Sequence, residues 1–469
     1  MSTICSEKVE KSMNLGESQL RYFIHTFGCQ MNHSDSERLS AVLDSLGYGP
    51  TEEAKEADLI LFNTCSIKQQ AEDRVLGQMK ALAKFKDKNP RLVVGITGCM
   101  TRITSTKNSK KQDPLLKRLE EVDIIFQIQD MTKLGELLVD VDPDIALSEM
   151  GQADLESYFK IQPKYVTPFQ AYIPIMTGCD KFCTYCIVPY SRGREKSRPI
   201  ENIYNEAVEL VENGCKEITL LGQNVNSFGL SWNDKKSGLF SYDENPFVTL
   251  LKKIDSIPGL KRLRFTSPHP QDMTPDVIET IAYSRTLMPC IHLPLQSGSD
   301  EVLRRMNRNY DTAKFMEIVE CIRKHMPDCS ITTDMIVGFC GETREQHEET
   351  LEFFRKVGFD IAYMSQFSPR IGTAADKLMT DNVDRKEKSR RWHEMNDVLR
   401  ETSRARNDYF LGKEVEVLVE KYVPEKDMLS GRTPHFKEVR FKGDKNLIGE
   451  LVQVKVTESM DWLLEGELA

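Results

Sequence analysis

The sequence predicts an α/β protein in three parts: an N-terminal βαβ parallel-sheet domain, a partial (β/α)6 barrel and a small C-terminal antiparallel β-barrel. Three observations predict it. An apolar strand ending in a small residue and Cys recurs three times between residues 21 and 140. Six strand-like runs alternate with amphipathic helical segments between 165 and 402. From about residue 409 the texture changes to strands of alternating valines. The length of 469 residues suits such a division, because single cores stop growing near about 250 to 300 residues. The expected boundaries are a flexible tail at 1–20 and domains at 21–140, 165–402 and 406–469.

Composition narrows the function. Hydrophobic residues make up 40% and charged residues 29% of the chain, the balance of a folded globular protein. No apolar run reaches the roughly 18 to 20 residues of a membrane span, and the first twenty residues have no apolar core of a secretion signal. The expectation is a cytoplasmic protein without a membrane partner. A net charge of −9 argues against indiscriminate coating of nucleic acid. Twelve cysteines in a reducing compartment must be ligands, nucleophiles or buried packing rather than assumed disulfides.

In the first block the copies are RYFIHTFGC ending at Cys29, ADLILFNTC ending at Cys65 and RLVVGITGC ending at Cys99. Helical stretches at 34–48 and 66–85 separate them, with Ser and Asp placed to cap their N-termini. This rhythm implies a parallel sheet, whose C-terminal strand ends share the edge where open α/β folds bind ligands. Three thiols can converge there. Buried packing and zinc stay open, although structural zinc normally takes four ligands and no fourth Cys ends a matching strand. His25 and His33 near Cys29 read as packing or surface. An iron–sulfur cluster held by three thiolates uses the count as it stands.

The second block opens on MTGCDKFCTYCIVPY at 176–190, where Cys179, Cys183 and Cys186 are spaced C-x3-C-x2-C. One loop with three thiols can wrap one metal centre, and the next cysteine, Cys215, is too distant in sequence to close a four-thiolate site. The strand runs are AYIPIM, EITLLGQNV, RLRFTSPHP, CIHLPLQSGS, ITTDMIVGF and IAYMSQFSPR, with helices at about 200–213, 246–257, 274–283, 311–325 and 343–357. Function in such barrels gathers at the C-terminal strand ends. Those ends carry Gly222, Gln223 and Asn224, then Ser267 to Pro270, Gln296 to Ser299 with Ser297 among them, Asp334, and Ser368 to Arg370.

Residues 384–406 predict a basic helical connector. Beyond it Val415, Val417 and Val419 share one strand face, as do Val452, Val454 and Val456. Residues 406–469 hold ten Lys and Arg against thirteen Asp and Glu, which excludes a uniformly basic clamp. RNA contact is expected from Arg432, Lys437, Arg440 and Lys442, together with the 385–391 cluster.

The 179–186 cysteines, with Tyr185 before the last, resemble the radical S-adenosylmethionine signature. The resemblance implies a [4Fe-4S] cluster on Cys179, Cys183 and Cys186, chelation of S-adenosylmethionine by the free iron, and its reductive cleavage to a deoxyadenosyl radical. It further implies that Tyr185 lies near the adenine, that Gln223 meets the methionine amino group, and that Ser297 adds a cofactor contact. LSGRTPHFKEVRF and WLLEGEL resemble the RNA-binding TRAM module. Over roughly residues 21–469 the chain is similar to the methylthiotransferase family, with TFGCQMN at 26–32, NTCSI at 63–67 and LLGQNVN at 220–226 pointing to the branch that acts on tRNA. This implies a second [4Fe-4S] cluster on Cys29, Cys65 and Cys99 that carries the sulfur. It also implies S-adenosylmethionine as both methyl donor and radical source, with C2 of an isopentenylated adenosine in tRNA as the target. A monomer reduced by flavodoxin or ferredoxin is the family expectation.

Two departures stand out. Cys340 replaces the proline common in relatives, which predicts a looser turn, and a polar, lysine-containing stretch at 103–113 reads as a surface loop. The alternatives are sister enzymes acting on threonylcarbamoyladenosine or on a ribosomal-protein aspartate, and a non-catalytic, metal-stabilised RNA-binding protein. Cys5, Cys215, Cys290, Cys321, Cys329 and Cys340 receive no chemistry.

Overall fold

The computed structural model describes residues 20–65, 69–106, 121–144, 158–231, 234 and 244–469. The expected tail up to residue 19 with Cys5, Ser66 and Ile67 of the second cysteine string, and the 107–113 part of the lysine-containing stretch lie outside the described residues. The chain divides into two compact units, one of residues 1–65 and 70–164, the other of 66–69 and 165–469.

The first unit is a doubly wound parallel sheet. Strands β1 (Arg21–Thr26), β2 (Leu59–Thr64), β3 (Val93–Gly98) and β4 (Ile124–Ile125) lie side by side in that order, all parallel. A two-residue strand flanks each edge. Every residue of β2 and β3 is buried, as a parallel sheet covered on both faces requires. One face packs Leu39, Leu43, Leu59, Leu61 and Phe126, and the other packs Ile60, Phe62, Val94 and Ile96.

Helix α1 (Gln30–Ser45) starts earlier than the capping pattern predicts, with Cys29 at its N-cap. Gly28, at φ 130°, turns the chain straight off β1 into the helix, and a side chain there would collide with Cys65. Ser34 and Asp35 are therefore inside the helix, where Ser34 accepts from Arg38 and Asp35 from the Tyr158 hydroxyl at 2.8 Å each. Helix α2 spans Gln69–Lys88.

The second unit carries six parallel strands in two three-stranded sheets. The first orders β5 (Gln170–Pro174), β6 (Glu217–Leu221) and β7 (Arg262–Phe265); the second orders β8 (Cys290–His292), β9 (Ser330–Val337) and β10 (Ile361–Gln366). A parallel bridge between Leu263 and Leu287 joins them, giving the partial barrel. Its helices, α3 (Ile200–Glu212), α4 (Pro246–Asp255), α5 (Pro275–Tyr283), α6 (Thr312–His325) and α7 (Arg344–Val357), follow the predicted spans closely. Thr343 and Gln346 form a reciprocal capping box on α7, and Gly358 ends it in the left-handed conformation.

The turn holding Cys340 is closed rather than loose. Arg305 donates to the Cys340 carbonyl at 2.9 Å and Gly338 N donates to Glu342 at 2.7 Å. Side-chain ties thus replace the stiffness a proline would supply. Cys340 itself is buried, as are Cys215 and Cys329.

Helix α8 (Arg385–Asp408) leads to a closed five-stranded barrel, ordered β11 (Glu414–Val423), β12 (Met428–Arg432), β13 (Glu438–Phe441), β15 (Leu464–Leu468) and β14 (Leu451–Ser459). Its pairs are antiparallel except β13 with β15. An odd number of strands cannot alternate direction all the way round, so one parallel pair is unavoidable. Val417, Val419, Val454 and Val456 fill its core, with Val415 and Val452 packed against it.

Candidate functional site

The three loop cysteines follow β5 on a segment fixed from two sides. Gly178, at φ 81°, lies so close to the Arg194 carbonyl that a Cβ would sit 2.2 Å from that oxygen. Cys179 N donates to Gly193 O at 3.2 Å and Asp180 N to the Glu195 carboxylate at 3.0 Å. On the other side Asn307 donates to Phe182 O at 3.1 Å and Thr184 N to Met306 O at 3.1 Å. Phe182, at φ 48°, bears the strain of the bend. Cys179 and Cys183 are buried and Cys186 is half-buried.

Arg308, buried, donates to Cys183 Sγ at 3.3 Å, to Pro294 O at 2.9 Å and to the Tyr310 hydroxyl at 2.8 Å. Burial pushes the Cys179 thiol up to about 12, so a bound cation is what would make it a thiolate near neutral pH. Among the described residues no group of three or more His, Cys, Asp or Glu side chains lies close enough together to hold a metal ion as it stands. The three thiols share one fixed loop with a guanidinium at its side.

Around this loop the strand ends supply polar groups. Gln223 Oε1 accepts from Gly178 N at 2.7 Å, tying β6 to the loop. Asn224 is buried and donates to Glu195, Ser227 and Asp272, while its carbonyl oxygen has no partner among the described residues. Tyr185 is half-buried against Phe339, ring centroids 6.4 Å apart. Ser297 is fully buried, its hydroxyl 3.3 Å from both Thr350 Oγ1 and Ser299 N. It serves the turn, and its neighbour Gln296, at φ 72°, is the residue held in a strained conformation at that strand end.

Sequence reasoning missed the barrel lumen. Ile218, Leu220, Leu263, Phe265, Ile331 and Met335 belong to the apolar core under the helices, so the alternate residues Glu217, Arg264, His292, Thr332 and Asp334 face inward. The period-2 alternation of EITLL and RLRF carried that signal.

The lumen's floor comes from the C-terminal barrel. In its 433–436 turn the Pro434 and Thr433 carbonyls accept from Arg264 at 3.0 and 2.9 Å, and the Phe436 ring lies 5.2 Å from the Arg264 guanidinium. Burial alone would raise the Glu217 carboxyl, but Arg264 and Arg262 outweigh it and hold it below the usual range.

This corrects the expected RNA face. Lys437 is buried 2.7 Å from Asp360, and Arg432 gives its carbonyl to Arg262 and its guanidinium to Glu420. In the 385–391 cluster Lys388 pairs with Asp381, and Arg391 with Glu342. These cations were read as solvent-facing because sequence gives charge and not the partner. Lys442, Arg385 and Lys386 of the named set are exposed without an ion pair among the described residues.

In the first unit Cys29, Cys65 and Cys99 follow three adjacent strands. Thr26 pairs with Asn63 and Asn63 with Thr97 across the sheet, so the cysteines lie two or three residues beyond one transverse row. Asn32 stitches the edge by donating to Asn63 Oδ1 at 3.0 Å and Thr64 O at 3.1 Å, and Cys99 N donates to Thr64 O at 2.8 Å. Cys29 is exposed while Cys65 and Cys99 are buried. His25 stacks on Phe27, ring centroids 4.2 Å apart, as packing.

A partial βα barrel with a three-cysteine loop at its first strand end is the architecture of radical S-adenosylmethionine enzymes. Residues 173–354 match the radical SAM superfamily, 409–469 the TRAM domain, and 21–126 a family described as uncharacterized protein family UPF0004. The tRNA-2-methylthio-N(6)-dimethylallyladenosine synthase of Bacillus licheniformis is 42% identical over 98% of this chain and 87% of its own. The enzyme of that name from Clostridium botulinum (strain Alaska E43) is 42% identical over 98% of each chain. The chain belongs to this family of radical SAM tRNA methylthiotransferases. Among solved structures, the radical S-adenosylmethionine methyltransferase TsrM from Kitasatospora setae, with cobalamin and a [4Fe-4S] cluster bound, shares the fold at a TM-score of 0.52 and 13% identity, over 76% of this chain and 74% of that one.

Proposed function

We infer that the protein methylthiolates C2 of N6-isopentenyladenosine at position 37 of tRNA, giving 2-methylthio-N6-isopentenyladenosine, with S-adenosylmethionine and two [4Fe-4S] clusters as cofactors. The observation that carries this reading is the presence of two separate three-cysteine sets in one chain, each at the C-terminal edge of a parallel sheet. Cys179, Cys183 and Cys186 would hold the cluster that engages S-adenosylmethionine, and Cys29, Cys65 and Cys99 the second cluster. The donor set fits: three thiols per site leave one iron open, and the buried Arg308 supplies the hydrogen bond to sulfur that such clusters draw from their surroundings. Residues 21–140 form the second-cluster domain, 165–402 the radical core and 406–469 the RNA-binding module.

Bound there, the cofactors supply the one-electron, methyl-transfer and sulfur chemistry that an unactivated C2–H bond demands and side-chain acids and bases cannot. The protein's part is position and exclusion. Gln223 fixes the loop to β6, Arg308 holds positive charge against Cys183, and the 433–436 turn closes the lumen below. Tyr185 and Gln223 are the cofactor contacts of this reading; the buried Ser297 supports them through its turn. Partners are the isopentenylated tRNA and a flavodoxin or ferredoxin, with the enzyme a cytoplasmic monomer. No helix among the described residues is long and apolar enough to cross a membrane.

The test is nucleoside mass spectrometry of tRNA from a deletion strain. The methylthio-isopentenyl nucleoside is expected to disappear and its isopentenyl precursor to accumulate; its persistence with no second enzyme present would refute the reading. Anaerobic reconstitution is expected to give about eight irons per chain.

A second expectation concerns Arg308. Its charge beside a cluster sulfur favours the more negative, reduced state, so Arg308→Gln should shift the midpoint potential of that cluster to more negative values in an EPR-monitored titration. Deoxyadenosine formation should slow with the same reductant. An unchanged or more positive potential would contradict this role.

A further inference from the structure

Two exposed aromatic rings stand on the cysteine loop and beside it. Phe182, the residue before Cys183, keeps 39% exposure, and Tyr190, in the short helix Val188–Ser191, keeps 43%. The rings meet edge to face with centroids 6.4 Å apart, and the Arg194 guanidinium lies 5.3 Å from the Phe182 centroid. Neither ring is packed into an apolar core among the described residues, although burying them would be favourable. Phe182 also sits at φ 48°, a conformation that is unfavourable for a bulky residue and is kept where function calls for it. The strained backbone holds an apolar ring in water next to a cysteine of the loop.

The charges around the rings are sorted by sign. Asp180 and Glu195 are half-buried and face inward on the loop itself. Asp180 accepts from Arg194 at 2.7 Å and from Glu195 N at 3.3 Å, and Glu195 accepts from Asp180 N at 3.0 Å and from Asn224 at 3.2 Å. Lys196 is exposed directly opposite Thr177 in the two-stranded ladder that follows, and it has no ion pair among the described residues. Arg194 is exposed as well. The two exposed charges of the 192–198 segment are therefore both cationic.

A cluster on Cys179, Cys183 and Cys186 would be largely buried. Electron transfer through protein slows steeply with distance, so a donor is effective only where the loop itself meets solvent, and Phe182 and its surroundings are such a place. A target base has to reach the inward side of the loop, where the buried Arg308 and Tyr310 meet Cys183 and each other, and the exposed rings lie outside that group. The net charge of −9 repels an acidic partner from the chain as a whole, so such a partner needs a local cationic patch to dock.

We propose that Phe182, Tyr190, Arg194 and Lys196 form the docking surface for the protein that reduces the loop's cluster, a small acidic one-electron carrier. Its carboxylates meet Arg194 and Lys196 while the apolar rim of its redox group covers the two rings. Aromatic anchors beside an arginine are the composition of protein interface centres. The assignment rests on the radical SAM reading of the loop and places the electron donor that reading requires. One electron leaves the reduced carrier, which is oxidised by one, and enters the cluster, which is reduced by one; no bond forms or breaks in that step.

Holoenzyme is tested with flavodoxin and ferredoxin in turn as carriers, and with dithionite, a small reductant that needs no docking surface. Phe182→Gly removes the ring while suiting the positive φ, and Tyr190→Ala and Lys196→Glu lie off the cysteine loop. Loss of either ring is expected to raise the Kd for the oxidised carrier, measured by calorimetry, about 10-fold or more, and Lys196→Glu to raise it about 5-fold. The KM for the reduced carrier in deoxyadenosine formation should rise by similar factors. Deoxyadenosine formation with dithionite, the EPR signal of the dithionite-reduced cluster and the affinity for an anticodon stem-loop RNA are expected to stay at wild-type values. Added salt should weaken carrier binding to wild type more than to Lys196→Glu. Equal losses with carrier and dithionite, an unchanged carrier Kd, a loss of RNA affinity instead, or failure of both carriers to bind wild type would overturn the assignment. Should Phe182→Gly lose iron, the two variants outside the loop decide by the same comparison. If wild type reduced by dithionite makes no methylthio product, the functional reading fails; if it does and the carrier pattern is absent, only the docking surface fails.

Discussion

Replacing Cys179, Cys183 and Cys186 together by alanine is expected to reduce deoxyadenosine formation from S-adenosylmethionine to the background of cluster-free protein. Replacing Cys29, Cys65 and Cys99 is expected to spare that cleavage and abolish methylthio insertion. The asymmetry follows from where the thiols sit. The first set lies on a loop held by backbone bonds from Gly193 and Met306, in the unit whose core runs through the radical barrel. The second lies at the edge of a sheet with its own two apolar faces, so truncating it removes ligands without touching the packing of the barrel. Each triple variant should retain about half of the roughly eight irons, and far-UV circular dichroism should stay near wild type. Loss of deoxyadenosine in both variants would show that the two sites do not act independently.

Much of this site was legible because its logic is periodic. Three repeats of strand, small residue and Cys force three thiols onto one sheet edge, and no tertiary information is needed to see it. The C-x3-C-x2-C loop is local for the same reason. Arg308 was not legible: it meets Cys183 across 125 positions of sequence, and an arginine after a helix looks like any surface cation. The lumen group was half legible. SITTD and RLRF alternate with period 2, but alternation says only that two faces differ, and the usual assumption puts water outside and apolar residues within. Here the helices cover the apolar face and the polar face lines the lumen. The basic residues of the C-terminal module misled for a related reason. Lys437 and Arg391 have the composition of an RNA surface, and only the fold reveals that Asp360 and Glu342 meet them in the interior. The start of α1 was misplaced because capping statistics favour Ser and Asp, whereas Gly28 allows the chain to turn before either is reached.

Asp360→Ala is expected to cost about 3 to 5 kcal/mol of stability, the usual consequence of removing one partner from a buried ion pair. Asp360 is 1% exposed and faces Lys437 at 2.7 Å and Arg406 at 3.4 Å, while accepting from Ile331 N at 2.9 Å. Burial by itself would raise its carboxyl, but the charges of Lys437 and Arg406 and these hydrogen bonds outweigh it and hold it below the usual carboxylate range. A carboxyl depressed in the folded state contributes stability above its unfolded pKa of about 3.9, and that contribution is lost as pH falls through the folded value. Wild type should therefore lose stability on acidification below about pH 4 more steeply than the variant, in which this titration is absent. In the variant Lys437 loses its counter-charge in a site with 3% side-chain exposure, where burial already lowers its pKa, and leaving that amine without its partner is the greater part of the cost. Asp360→Ala with Lys437→Met should accordingly recover most of the loss, since a buried pair and an apolar replacement of similar volume are close in free energy. Urea denaturation at pH 7 and pH 3.5 measures both differences, and a loss under about 1 kcal/mol for the single variant would show that the pair is not what anchors the module. Because Lys437 follows the 433–436 turn directly, the same substitution loosens the floor of the lumen. Lowered stability should then be accompanied by weaker tRNA binding even though no residue proposed to touch RNA has changed.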